Sequence, residues 1–212
     1  MNKFLNANKA FHHLHARILK FGVDFDDTKA LFNVGFEIED PMNNSIANSH
    51  YLKRNWKQEY AEAEWQWYLS GDNNIKKLGE LYGKIPEIWR RMADKYGHVN
   101  SNYGYQWQRS DWSGISQLDY VVSLLKQNPK TRQAAISIYD GKEHDSYELD
   151  TPCTYAIQFT IVNGKLIAKI RHVPMLFNLQ LLIISLICVL RCVLMTSGTV
   201  SATINTVSQD YS

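Results

Sequence analysis

The sequence predicts an α+β domain in which helices flank a mixed β-sheet. Apolar residues recur at helical spacing in several separate stretches. Between Tyr155 and Arg171, two β-rich runs are joined by Asn163-Gly164, a dipeptide that favours a two-residue type I′ turn. The chain has 212 residues and is 45% hydrophobic, enough for one domain with a sizeable core.

From the N-terminus, Phe11, Leu14, Ile18, Leu19 and Phe21 keep helical spacing, and Gly22 follows as a stop. Leu31 to Ile38 alternates loosely, as a strand would. Pro41 to Ser49 is polar and reads as a loop. Tyr51 to Leu69 reads as a helix ended by Gly71-Asp72-Asn73-Asn74. Pro86 suits the first turn of a helix running to about Lys95. Gly97 to Ser113 mixes turn formers with aromatics and is expected to be a loop. Ile115, Leu118, Val121, Val122 and Leu125 make an amphipathic helix closed by Asn128-Pro129. Ala134 to Tyr139 is β-rich, and Asp140-Gly141 turns the chain into a charged loop before the hairpin.

The tail differs in character. Leu181 to Met195 is apolar apart from Ser185 and Arg191, yet shorter than the roughly 20 residues a membrane-spanning helix needs. It reads as a buried helix first, as an abnormal or misread tail second, and as a membrane segment last. Thr196 to Ser212 is small and polar, with no amphipathic pattern.

The net charge of +2 gives no strong pull toward nucleic acid or membrane, so neither is expected as a partner. Cys153, Cys188 and Cys192 form no Cys-x-x-Cys pair, which points to neither a zinc site nor a disulfide framework. His12, His13 and His15 lack the i, i+4 spacing of a helical metal site, and no metal is expected. Met1-Asn2-Lys3-Phe4 has no hydrophobic signal core, so the expectation is a cytoplasmic protein. No repeat and no Gly-rich phosphate loop is present.

One position stands out chemically. Cys153 lies between Pro152 and Thr154 where a strand begins; alone, it reads as a structural buried cysteine. Arg132 precedes the preceding strand, and Arg171 ends the hairpin that Cys153 opens. Neighbouring guanidinium groups favour the thiolate, which is the nucleophile, and two arginines near one strand end also suit a phosphate.

Five blocks, in order, resemble the thymidylate synthase family. Glu64-Trp65-Gln66-Trp67-Tyr68-Leu69-Ser70-Gly71-Asp72-Asn73-Asn74-Ile75 is similar to its Glu-x-x-Trp-(aromatic)-Leu-x-Gly-(Asp)-x-Asn-Ile signature. Ile88-Trp89 resembles the Ile-Trp of the next family helix. Asn100-Ser101-Asn102-Tyr103-Gly104-Tyr105-Gln106-Trp107 resembles the Tyr-Gly-x-x-Trp loop, in a form nearest phage deoxycytidylate hydroxymethylase. Asn128-Pro129-Lys130-Thr131-Arg132 matches (Asp/Asn)-Pro-x-(Ser/Thr)-Arg. Pro152-Cys153 followed by Gln158-Phe159 matches the nucleophile strand. The resemblance covers roughly Phe11 to Arg171, so residues 1–171 are expected to form the catalytic core and 172–212 a departing tail.

The resemblance implies a sheet-mediated homodimer with a thymidylate synthase-like fold. It implies transfer of a one-carbon unit from 5,10-methylenetetrahydrofolate to C5 of dUMP or dCMP, through an adduct between Cys153 and C6. A synthase converting dUMP to dTMP is the first reading. A dCMP or dUMP hydroxymethylase is the second, and an inactive truncated relic the third. The implied catalytic residues are Cys153, Glu64, which shuttles protons near O4 and C5, and Tyr103, which assists removal of the C5 proton. The implied substrate-binding residues are Trp89, lining the pocket, Gln158, supporting the nucleophile strand and the nucleotide, Arg132, reaching the neighbouring subunit's phosphate, and Arg171, binding phosphate near the sulfur.

The chain also departs from the family. Asp27-Thr28-Lys29-Ala30 stands where the family has Asp-Arg-Thr-Gly, Gln133 stands where many synthases have a second arginine, and Thr154 stands where many have histidine. After Arg171 the family's Arg-Ser-x-Asp is replaced by Arg171-His172-Val173-Pro174, and Phe177-Asn178 comes about four residues too soon. A shifted reading frame or a truncation after Arg171 is the expectation, which translation of the alternative frames tests.

Overall fold

The structure is a computed structural model that describes residues 2–25, 28–40, 57–109 and 114–172, with the backbone of one further strand at 200–206. The expected loop at Pro41 to Ser49 and the apolar stretch Leu181 to Met195 lie outside the described residues. The fold is α+β, as the sequence predicts.

Helix α1 (Ala7–Phe21) begins at Asn6, whose side chain accepts from the Lys9 amide, and ends at Gly22. Its buried face is Ala7, Ala10, Leu14 and Ile18, the i, i+3, i+4 stripe of an amphipathic helix. Helix α2 (Gln58–Ser70) ends on Gly71 in a left-handed cap. Helix α3 (Ile75–Tyr82) follows a turn in which Asp72 Oδ1 accepts from the Asn74 amide at 2.8 Å and Asn74 Oδ1 from the Lys76 amide at 3.0 Å. Helix α4 (Glu87–Met92) starts after Pro86, and helix α6 (Gln117–Gln127) is capped by Ser116.

The main sheet is mixed. Its strands are β1 (Asn2–Phe4), β4 (Gly35–Ile38), β5 (Ala135–Ser137), β6 (Thr154–Val162), β7 (Lys165–His172) and β8 (Val200–Thr206), in the spatial order β1-β4-β8-β7-β6-β5. The β6–β7 hairpin forms as expected, with Val162 opposite Lys165 and positive φ at Asn163 (52°) and Gly164 (72°). Two positive φ values in succession define the type I′ turn, whose twist matches that of the strands. Cross-strand partners share a face. Ile136, Ile157 and Ile170 line the buried side, where Phe159, Leu166 and Ala168 join them in the core. Ser137, Ala156 and Arg171 form one row on the opposite side, and Ala135, Gln158 and Lys169 the next.

Several elements differ from the sequence expectation. A small ribbon of β2 (Val23–Phe25) and β3 (Thr28–Ala30) precedes β4. Helix α5 (Tyr103–Gln108) interrupts the expected loop at Gly97 to Ser113. In the polar tail, β8 lies between β7 and β4, parallel to the first and antiparallel to the second. Val200, Ala202 and Ile204 alternate there with Ser201, Thr203 and Asn205, the period-2 pattern of a strand.

Candidate active site

Polar contacts at Asp150, Pro152 and Thr154 hold the peptide around Cys153. Asp150, 8% exposed, accepts from the Ser101 amide at 2.6 Å and from the Ser101 hydroxyl at 2.7 Å, while Asn100 Nδ2 donates to the Asp150 carbonyl at 2.8 Å. The Tyr139 hydroxyl donates to the Pro152 carbonyl at 2.9 Å. The Thr154 amide donates to the Tyr103 hydroxyl at 3.2 Å. The chain is therefore tied down before and after Cys153, whose own side chain stays exposed. A nucleophile needs that combination of fixed backbone and open approach.

The Asn100-Ser101-Asn102 run thus has a local structural role. Its first two residues grip Asp150, and Asn102 caps α5, with Oδ1 accepting from the Tyr105 amide at 2.8 Å. Asn102 Nδ2 also donates to the Asp72 carbonyl at 3.2 Å, joining α5 to the turn after α2. Gly104 lies directly on the backbone of Tyr68, where a Cβ would overlap the carbonyl group. Tyr103 and Trp107 then pack edge-on to the Tyr68 ring, at 6.1 and 6.2 Å.

Glu64 sits on the same helix as Tyr68 and is completely buried. Oε1 accepts from the Tyr60 hydroxyl at 2.9 Å, and that hydroxyl accepts from Trp89 Nε1 at 2.8 Å. Oε2 has no hydrogen-bond partner. Burial pushes the Glu64 carboxyl up to about 7, against the pull of the Tyr60 and Tyr68 hydroxyls. A carboxyl poised there gives and takes protons at neutral pH.

That shift has a consequence for stability. The native state keeps a proton on Glu64 that the unfolded chain loses above its ordinary value of 4.5. The contribution is fully present below 4.5 and is lost as pH rises through about 7, a fall on the order of 3 kcal/mol. Glu64→Gln, an uncharged mimic, is expected to remove this slope. Urea unfolding of both proteins at pH 5 and pH 8 checks it; equal slopes would contradict the assignment.

Burial raises the Tyr103 hydroxyl, and the neighbouring Cys153 raises it further. The Cys153 thiol is itself raised, first because the surrounding protein displaces water from the sulfur although the residue is exposed overall, and then by the Asp150 carboxylate. This corrects the expectation that Arg132 and Arg171 lower it within the chain. Neither arginine contributes to the shift; the register sets Arg171 opposite Ala156 on the outer face of the sheet. Arg132 is exposed, and its carbonyl accepts from Gln158 Nε2 at 3.3 Å. Gln158 therefore steadies the Arg132 loop on that outer face.

The candidate residues thus fall into two groups. Glu64, Trp89, Tyr103 and Cys153 are linked through Tyr60 and Tyr68 on α2, whereas Arg132, Gln158 and Arg171 belong to the outer face. Sequence reading did not single out Tyr60, Asp150, Ser101 or Tyr139. Tyr60 had one usable cue, its position four residues before Glu64 on a helix. Among the described residues, no three of His, Cys, Asp and Glu cluster as metal ligands, and no helix is long and apolar enough to cross a membrane.

Comparison with known proteins bears on the fold and the family. The chain resembles the solved structure of thermostable thymidylate synthase A from Bacillus subtilis, with a TM-score of 0.74 and 19% identity over 95% of this chain and 78% of that one. At that identity the likeness shows the shared fold. The family model for thymidylate synthase matches residues 9–198. The match takes in Glu64, Tyr103 and Cys153 with the elements that hold them, and on that ground the chain belongs to the thymidylate synthase family.

Proposed function

We propose that the chain converts dUMP to dTMP, with 5,10-methylenetetrahydrofolate as co-substrate and Cys153 as the nucleophile. The observation that carries this reading is the pairing of an exposed cysteine, held from both sides, with a buried carboxyl that titrates near neutrality. Cys153 adds through sulfur to C6 of the pyrimidine, which makes C5 nucleophilic. Glu64 handles protons near O4 and C5, and Tyr103 assists removal of the C5 proton. Trp89 lines the pocket beside Glu64. The folate supplies the one-carbon unit when bound.

Arg132, Gln158 and Arg171 have their place in a homodimer built on the outer face of the sheet. Arg132 reaches the nucleotide phosphate of the second copy, Gln158 steadies it, and Arg171 binds phosphate. Cations brought by a second subunit also offset the raised thiol of the single chain. The proposed setting is the cytoplasm, with residues 1–171 as the catalytic core and 172–212 as a departing tail.

Hydroxymethylation of dCMP or dUMP is the second reading, favoured by the form of the Asn100-Ser101-Asn102-Tyr103-Gly104 loop. The folate separates the two, because a synthase oxidises it and a hydroxymethylase does not. With dUMP and methylenetetrahydrofolate, dihydrofolate is expected to accumulate in step with product. Product without dihydrofolate would overturn the synthase reading in favour of the hydroxymethylase.

A further inference from the structure

Among the described residues, Glu64 is the one buried carboxylate with an oxygen left bare, and its two oxygens are unlike for a reason outside Glu64 itself. An indole N–H only donates. Trp89 Nε1 lies 2.8 Å from the Tyr60 oxygen, so that oxygen accepts. The single hydroxyl proton of Tyr60 is then available to Glu64 Oε1 at 2.9 Å. Two donors thus run in one direction, Trp89 to Tyr60 to Glu64, and Oε1 is an acceptor in both protonation states of the carboxyl.

We propose that Tyr60 is a positioning residue: with Trp89 it fixes Oε1 of Glu64 as an acceptor and makes Oε2 the oxygen that gives and takes the proton. The inference rests on Glu64 being the proton-transfer group of the proposed reaction. When the Oε2–H bond breaks, its proton passes to the pyrimidine or to a water. The electron pair stays on the carboxylate, which Tyr60 continues to stabilise through Oε1. The reverse step returns the proton to Oε2. Without Tyr60, either oxygen can hold the proton, and half of those states point it away from the bare side.

A second hydroxyl, that of Tyr68, also donates to Glu64 and stays in place in Tyr60→Phe. The ionisable groups acting on Glu64 are Tyr60 and Tyr68, both on α2. From α3, the Tyr82 ring packs edge-on to Tyr60 at 5.2 Å, and from α5, Tyr103 packs on Tyr68. Trp89, from α4, is not titratable. Burial and the neighbouring Glu64 carboxylate both raise the Tyr60 hydroxyl, so it stays a donor across the working range.

Infrared titration of the Glu64 carboxyl, with Glu64→Gln to identify its band, tests this directly and needs no turnover. In Tyr60→Phe the ring remains and the donor is gone, so the Glu64 titration is expected to move up by about one pH unit. The limb of the pH profile for release of the C5 proton should move the same way. Trp89→Phe, which keeps the Tyr60 proton but removes its support, should give a smaller upward shift and covers the case in which Tyr60→Phe does not fold. An unmoved Glu64 titration in the folded variants would overturn the relay. A shift in Tyr60→Phe, with no release of the C5 proton by the parent protein, would sustain the relay and sink the proposed function.

Discussion

Cys153→Ala is expected to lose all covalent capture of a pyrimidine nucleotide while keeping its fold. The loss in turnover should be on the order of 10⁴-fold or more, because no other group supplies the bond to C6. The fold should survive because the side chain is exposed, and its neighbours are held through the backbone of Pro152 and Thr154 and the side chain of Asp150. Intact mass after incubation with a 5-fluoropyrimidine deoxynucleotide and methylenetetrahydrofolate reads this cleanly. Fluorine at C5 does not leave as a cation, so an adduct on Cys153 persists. The parent protein should gain the mass of the adduct and Cys153→Ala should not; an adduct on Cys153→Ala would remove Cys153 from the mechanism.

Gly104→Ala is expected to be the most damaging single-methyl change in the described core. The added Cβ would fall on the carbonyl group of Tyr68, and a helix backbone cannot step aside as a flexible side chain can. Helices α2 and α5 would have to separate, with loss of the Tyr68–Tyr103 and Tyr68–Trp107 contacts. A cost of about 3 kcal/mol or more is expected. Chemical denaturation gives the cost, and activity should fall further than stability because Tyr103 meets the Thr154 amide from this helix. A Gly104→Ala protein as stable and active as the parent would mean that the two helices are not locked together.

Legibility in the sequence followed the physics of each element. The β6–β7 hairpin was readable because Asn163-Gly164 and the flanking alternation act over a few residues. Helices α1 and α6 were readable because each carries its own apolar stripe. Helix α5 was not, since Tyr103-Gly104-Tyr105-Gln106-Trp107-Gln108 has no stripe and is held by Asn102 and by packing on α2. Strand β8 had its period-2 cue, but the apolar stretch and the many small residues around it obscured the pattern. Within the site, Cys153, Glu64 and Tyr103 were legible through motif order. The raised thiol was not, because it depends on burial and on Asp150, which only the fold brings to Cys153. The partners that tune Glu64 and brace Cys153 come from elsewhere on α2, from α4 and α5, and from the Asn100-Ser101 and 139–152 segments, and only the folded chain assembles them.

The central claim, thiol-dependent activation of C5, is tested most directly by tritium release from C5-labelled dUMP and dCMP in the presence of methylenetetrahydrofolate, with Cys153→Ala alongside. The account predicts release by the parent protein from dUMP and none by Cys153→Ala. Folded parent protein that releases tritium from neither nucleotide would contradict the account and leave an inactive member of the family as the reading that fits.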